Sequence, residues 1–145
     1  MQYYIFINMN ISKPSFEKRS SEILSALSNP FRIRLLFALS EQEACVCHLE
    51  ALLKKRQAYI SQHLMALRKV GLLETRRDGK FVYYQLSDPR VIDLVKDAAL
   101  IAGLDQEDTP EIKKRRTVEQ CVCPHCGDIT HQTSKPGSNL EPENA

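Results

Sequence analysis

The chain's five cysteines fall in two tight clusters with none between them: Cys45 and Cys47, then Cys121, Cys123 and Cys126. Sulfur ligands select soft or borderline ions (zinc, cadmium, lead, copper(I), arsenite) over magnesium and manganese. In Cys121-Val122-Cys123-Pro124-His125-Cys126-Gly127, the Cys-Pro-x-Cys-Gly segment has the form of a zinc-ribbon knuckle, a turn that aims two sulfurs at one ion. It stands alone, with no second knuckle downstream. A tetrahedral site needs four ligands, and two completions are open. The tail closes its own structural zinc site with His125 or His131, or it folds back onto Cys45 and Cys47 of its own chain or of a partner subunit.

Cys45 and Cys47 read as the start of a helix running roughly from Ala44 to Leu53. Residues i and i+2 lie about 200° apart on an ideal helix, so two thiolates there would share an ion only with local unwinding. A helix N-terminus also lowers a thiol pKa and favours the thiolate. His48 follows the pair, and a lone histidine reads more readily as a surface residue than as a ligand. The apolar stretch Tyr3–Ile7 is short and lacks a basic flank, so it does not read as an export signal. The expected compartment is cytoplasmic, where close-spaced cysteines favour metal or redox chemistry over structural disulfides. Met1 and Met9 both remain possible starts.

The elements that must position these sulfurs follow from pattern. With 145 residues, 43% hydrophobic and 26% charged, the chain has the composition of one globular domain. No apolar run approaches the ~20 residues of a spanning helix, so no membrane partner is expected. Residues 1–14 read as a flexible arm, 15–103 as the folded domain, and 104–145 as a polar tail carrying the knuckle. Within the domain a first helix runs from Phe16 to Leu27. Asn29 and Pro30 cap and start a second, from Phe31 to Leu39. After the third helix, Lys54-Lys55-Arg56 is a basic turn. A fourth helix runs from Gln57 to Val70, with Ile60, Leu64, Leu67 and Val70 as a one-sided apolar stripe, and Gly71 ends it. Leu72–Arg76 and Phe81–Leu86 read as strands around Asp78-Gly79, a strong hairpin signal. A fifth helix follows Ser87-Asp88-Pro89 and closes at Gly103. The predicted fold is mainly α with a small β-hairpin, in the order α-α-α-α-β-β-α: a winged helix-turn-helix.

The charge distribution agrees with that reading. The net charge is only +2. Residues 54–80 nevertheless hold eight basic against two acidic residues, a local +6, while residues 105–145 carry a net −3. That is the footprint of a DNA binder masked by an acidic tail. The exposed side of the fourth helix offers Gln57, Ala58, Tyr59, Ser61, Gln62 and His63 to DNA. Gln57, Ala58, Ser61 and Gln62 are expected nearest base edges. Arg77 and Lys80 on the wing are expected at the backbone or minor groove.

Ser61-Gln62-His63-Leu64, Leu67, Gly71-Leu72-Leu73, Arg77-x-Gly79 and Tyr83-Tyr84-Gln85-Leu86 resemble the winged-helix repressors of the arsenic-repressor (ArsR/SmtB) family. Leu27-Ser28-Asn29-Pro30-x-Arg32 matches too, so the resemblance covers roughly residues 16–103. Glu43-Ala44-Cys45-Val46-Cys47-His48-Leu49 resembles the family's metal signature. The resemblance implies a homodimer joined through the first and last helices, bound as the apo form to a palindromic double-stranded DNA operator. It implies release when a thiophilic ion, arsenite or antimonite, cadmium, lead or zinc, binds the cysteines. The last helix agrees independently, being apolar on more than one face. Two departures stand out. The third cysteine of the commonest arsenite pattern is replaced by Glu50. No histidine occurs between His63 and His125, so the family's histidine-rich site on the last helix is absent.

Two alternatives share the fold: a thiol redox or reactive-sulfur sensor, and a DNA-binding protein whose tail zinc is purely structural. No nucleophile–base arrangement, phosphate-cradling glycine loop or paired carboxylate is legible, so the chain does not read as an enzyme.

Overall fold

The structure, a computed structural model, describes residues 13–110, 121, 123 and 124. Of the sequence-expected arm and tail, residues 1–12 and most of the segment after 110 therefore lie outside the described residues. Five helices and three strands follow in order: α1 Phe16–Leu27, α2 Pro30–Ala38, β1 Ala44–Cys45, α3 Val46–Leu53, α4 Gln57–Lys69, β2 Leu73–Asp78, β3 Phe81–Leu86 and α5 Arg90–Ile101. Among the described residues, a 3-10 turn, Gln106–Asp108, comes after α5.

Local chemistry sets the boundaries. The Asn29 side-chain oxygen accepts from the backbone N–H of Phe31 (2.9 Å) and Arg32 (3.2 Å), which satisfies two orphan donors of α2. Pro30 fills the first helical position. At the far end of α4, Gly71 (φ +82°) turns the chain left-handed. Its N–H donates to Arg68 O, and the Leu72 N–H donates to Leu67 O. This pair of bonds is a Schellman closure, which needs glycine at its left-handed position.

The apolar stripe of α4 packs inward as its spacing predicts. Ile60, Leu64 and Leu67 are fully buried against Leu35 and Leu36 of α2 and Leu49 of α3. Leu72, Leu73, Val91 and Ile92 extend the same core to the hairpin and α5. Helices α3 and α4, joined by the short basic turn, thus form the helix-turn-helix, and the β2–β3 hairpin behind α4 forms the wing. The hairpin loop is Gly79-Lys80, with Asp78 paired to Phe81. Gly79 at φ +57° supplies the positive φ that so tight a loop demands.

Two expectations are corrected here. The third helix does not begin at Ala44: Ala44 and Cys45 are extended, and they pair antiparallel with Tyr84 and Tyr83 of β3. The sheet accordingly has three strands in the order β1-β3-β2, where the sequence suggested only a hairpin. The physical reason is that β3 would otherwise leave an edge of unpaired backbone groups, and two residues before α3 suffice to cover part of it. Among the described residues, no helix is long and apolar enough to cross a membrane.

Candidate metal centre and nucleic-acid face

Cys45 is the N-cap of α3, in extended conformation (φ −81°, ψ 164°), and Cys47 is in its first turn. The 200° separation of an ideal helix therefore does not apply, because one residue of the pair is outside the helix. The two Sγ atoms are 2.8 Å apart without any unwinding. This corrects the sequence expectation that joint ligation must distort α3.

Cys121 joins the pair, its Sγ at 3.8 Å from that of Cys45 and 3.1 Å from that of Cys47. With Cys123, the four sulfurs lie within 4.8 Å of one another. Cys45, Cys121 and Cys123 are buried and Cys47 is half-buried, and none is in a disulfide. Among the described residues, Cys121 and Cys123 thus lie beside Cys45 and Cys47 of the same chain. Cys126, His125 and His131 lie outside the described residues.

The donor set fits a soft divalent ion. Zinc–thiolate bonds of about 2.3 Å in a tetrahedron place sulfurs about 3.8 Å apart. The Cys45–Cys121 separation matches this, whereas Cys47 lies closer to both, at 2.8 and 3.1 Å, and would have to move outward to share such an ion. Tyr83 and Phe81, two residues apart on β3 and so on one face, pack against the cluster.

Burial dominates the thiol chemistry. It pushes Cys45 up to about 12 and Cys47 up to about 11. The His48 backbone N–H at the start of α3 pulls Cys45 downward, as a helix N-terminus should, but burial outweighs it. The expected thiolate preference is thus reversed in the ion-free protein. A bound cation would compensate by holding the thiolate form. His48 is also corrected: it is buried, at 3% exposure, rather than on the surface.

Glu50, in the place of the missing third cysteine, has a different task. Its carboxylate accepts from the Gln57 backbone N–H (2.9 Å), serving the N-terminus of α4 where Arg56 gives no side-chain cap. On α4, Gln57, Ala58, Tyr59 and Gln62 are exposed, whereas Ser61 and His63 are half-buried. Arg77 and Lys80 are exposed on the wing, and the Lys80 ammonium lies 5.5 Å from the Phe81 ring centre.

His63 also has internal contacts. Its Nδ1 accepts from Arg32 Nε (3.3 Å), and its ring meets Phe31 and Tyr59 at 5.1 and 4.6 Å between centroids. Burial, with the adjacent Arg32 charge, lowers its pKa. Arg32 also donates to Ala26 O, so it ties the end of α1 to α4. Sequence reasoning gave Arg32 no such role. The only signal was its position after the Asn29-Pro30 cap.

A third link was not legible at all. Arg76 lies with its guanidinium 4.8 Å from the Tyr83 ring centre and forms a two-armed ion pair with Glu43 at 2.5 and 3.1 Å. Glu43 precedes β1 by one residue, so the partners are 33 residues apart in sequence.

Comparison with known proteins agrees with this architecture. Residues 29–75 match the model of the bacterial regulatory proteins of the arsR family. The chain is 42% identical over 82 residues to a transcriptional repressor SmtB homolog of Synechocystis sp.. That alignment covers 57% of this chain and 62%, less than two thirds, of the relative. It is 37% identical over 81 residues to a cadmium resistance transcriptional regulatory protein CadC homolog of Staphylococcus aureus, covering 55% of this chain and 67% of the relative. Among solved structures, HlyU from Vibrio cholerae superposes with a TM-score of 0.54 at 29% identity, covering 61% of this chain and 97% of that one. Its helix-turn-helix, wing and matching sequence over that span lead to one assignment: the chain belongs to the ArsR/SmtB family of transcriptional regulators.

Proposed function

We propose that the protein is a metal-responsive transcriptional repressor that binds operator DNA as an ion-free dimer and leaves it when a thiophilic ion enters the sulfur cluster. The observation that carries this reading is the convergence of Cys45, Cys47, Cys121 and Cys123 within 4.8 Å at the first turn of the helix-turn-helix. Four sulfurs favour an ion that takes four, such as cadmium, zinc or lead, over trigonal arsenite or antimonite. The dimer reading rests on unpartnered apolar surface. Leu24 of α1 and Leu94, Leu100 and Ile101 of α5 are exposed, and α1 and α5 flank a groove of about 720 Å³. On a two-fold dimer the DNA-facing helices imply a palindromic operator. The proposed DNA contacts are Gln57, Ala58, Tyr59, Ser61, Gln62, His63, Arg77 and Lys80. The proposed ligands include Cys126 as a fifth sulfur in reserve.

A gel shift on candidate operators tests this. Ion-free protein is expected to retard DNA, and about one equivalent of cadmium, lead or zinc per chain is expected to release it. Retardation indifferent to those ions and to arsenite would refute the metal reading.

The 2.8 Å contact of Cys45 with Cys47 favours one second reading, a thiol redox or reactive-sulfur sensor. Burial opposes it by suppressing the thiolate that oxidation requires. Release by polysulfide or peroxide but not by metal would select it.

A further inference from the structure

The wing and the sulfur cluster share one rung of the sheet. Cys45 of β1 pairs with Tyr83 of β3, and Tyr83 pairs on its other side with Arg76 of β2. Residues directly opposite one another in a ladder point to the same face. Tyr83 packs against the sulfurs, and Arg76 lies over the Tyr83 ring. The Arg76 side chain then continues across the sheet to Glu43, two residues before Cys45. Its guanidinium therefore joins the outer strand of the wing to the segment that carries a sulfur ligand. A planar, two-armed contact of this kind fixes geometry in a way a single point charge does not.

We infer that Arg76 is a positioning residue that couples the sulfur site to the wing, with Glu43 and Tyr83 as its two holds. The inference rests on the metal-responsive reading of the site. Arg76 holds β2 to β1 across the centre of the sheet. Any shift of Cys45 that accompanies filling of the site is then passed to the hairpin carrying Arg77 and Lys80. Without the clasp, β1 keeps its short pairing with β3 and the burial of Ala44 and Cys45, but loses its direct side-chain link to β2, and the outer strand of the wing no longer follows the sulfurs.

The test uses the full chain with Glu43→Gln and, separately, Arg76→Gln. Glu43 is acidic and brings no attraction to DNA, so its variant separates coupling from lost phosphate contact. Three quantities are read for each protein: cadmium affinity from thiolate charge-transfer absorption, DNA affinity with and without cadmium, and amide hydrogen exchange of residues 73–86 with and without cadmium. Both variants are expected to bind cadmium within about threefold of wild type. The ratio of ion-free to loaded DNA affinity is expected to fall at least fivefold in both, and the cadmium-induced change in wing exchange is expected to vanish.

An unchanged ratio and an unchanged exchange response in both variants would overturn the inference and leave the functional reading standing. Loss of cadmium binding in both variants would also overturn it, because the pair would then only build the site. If wild type showed a cadmium-dependent wing response that needs Arg76 but no DNA release, the functional reading would fail and the coupling would stand.

Discussion

Cys45 and Tyr83 face each other across β1 and β3, so a sulfur of the candidate metal centre and the buried aromatic of the wing occupy one rung. Tyr83 is fully buried there, between the sulfur cluster and the Arg76 guanidinium. The two parts of the molecule, sulfur cluster and wing, thereby share side-chain packing as well as backbone hydrogen bonds.

Truncating Tyr83 should damage both. Tyr83→Ala removes a fully buried aromatic, for which a loss of about 3–5 kcal/mol in unfolding free energy is expected. Urea denaturation of the ion-free protein measures it. A loss under 1 kcal/mol would mean that Tyr83 does not support the sheet as described.

Ion affinity should rise with pH. Burial holds the Cys45 and Cys47 thiols protonated up to about 12 and 11, so ligation must expel protons. Each displaced proton raises the apparent affinity about tenfold per pH unit below those values. Cadmium titrations at pH 6, 7 and 8 should show this climb. The ion-free fold follows the same sign. These thiols ionise more easily unfolded, near 9, so stability should fall as pH rises from 9 toward 11–12. Stability that instead rose over that range would contradict the burial of the site.

The wing cation Lys80 should act on DNA through charge alone. Lys80→Ala is expected to weaken all DNA sequences about equally and to reduce the slope of log affinity against log salt by about one. A changed sequence preference with an unchanged slope would move Lys80 from the backbone to the bases.

The exposed apolar face of α5 should be the dimer contact. Leu94→Glu with Leu100→Glu places charges where both side chains are open to solvent in one chain, so the fold should persist. An unpaired charge buried at an interface costs several kcal/mol, which is a loss of more than about a hundredfold in dimer affinity. Sedimentation equilibrium should report monomers, whereas an unaltered dimer would place the interface elsewhere.

Much of this arrangement was legible in the sequence where a local rule governs it. Asn29-Pro30 announces α2, Gly71 ends α4, and the Ile60, Leu64, Leu67 stripe names the core face. Cys45 shows where local rules stop. Pattern placed it on a helix, but pairing with Tyr83, 38 positions later, drew it into a strand, and no nearby residue signals that contact. The same holds for Glu43 and Arg76, two ordinary surface charges until the sheet brings them together. The burial that reverses the thiol pKa shift is likewise tertiary. It comes from Tyr83, Phe81 and the returning Cys121 and Cys123, none of which lies near Cys45 in the chain.

The central claim is that one ion is held jointly by the first turn of the helix-turn-helix and by the tail. The most direct test is a cadmium titration of the full chain against a chain ending at Glu119, followed by sulfur-to-metal charge-transfer absorption. The account predicts one tightly bound ion per full chain, with an absorption intensity set by four sulfurs. On truncation, both the intensity and the tight binding at Cys45 and Cys47 should be lost. A truncated chain that retains the full signal and affinity would contradict it.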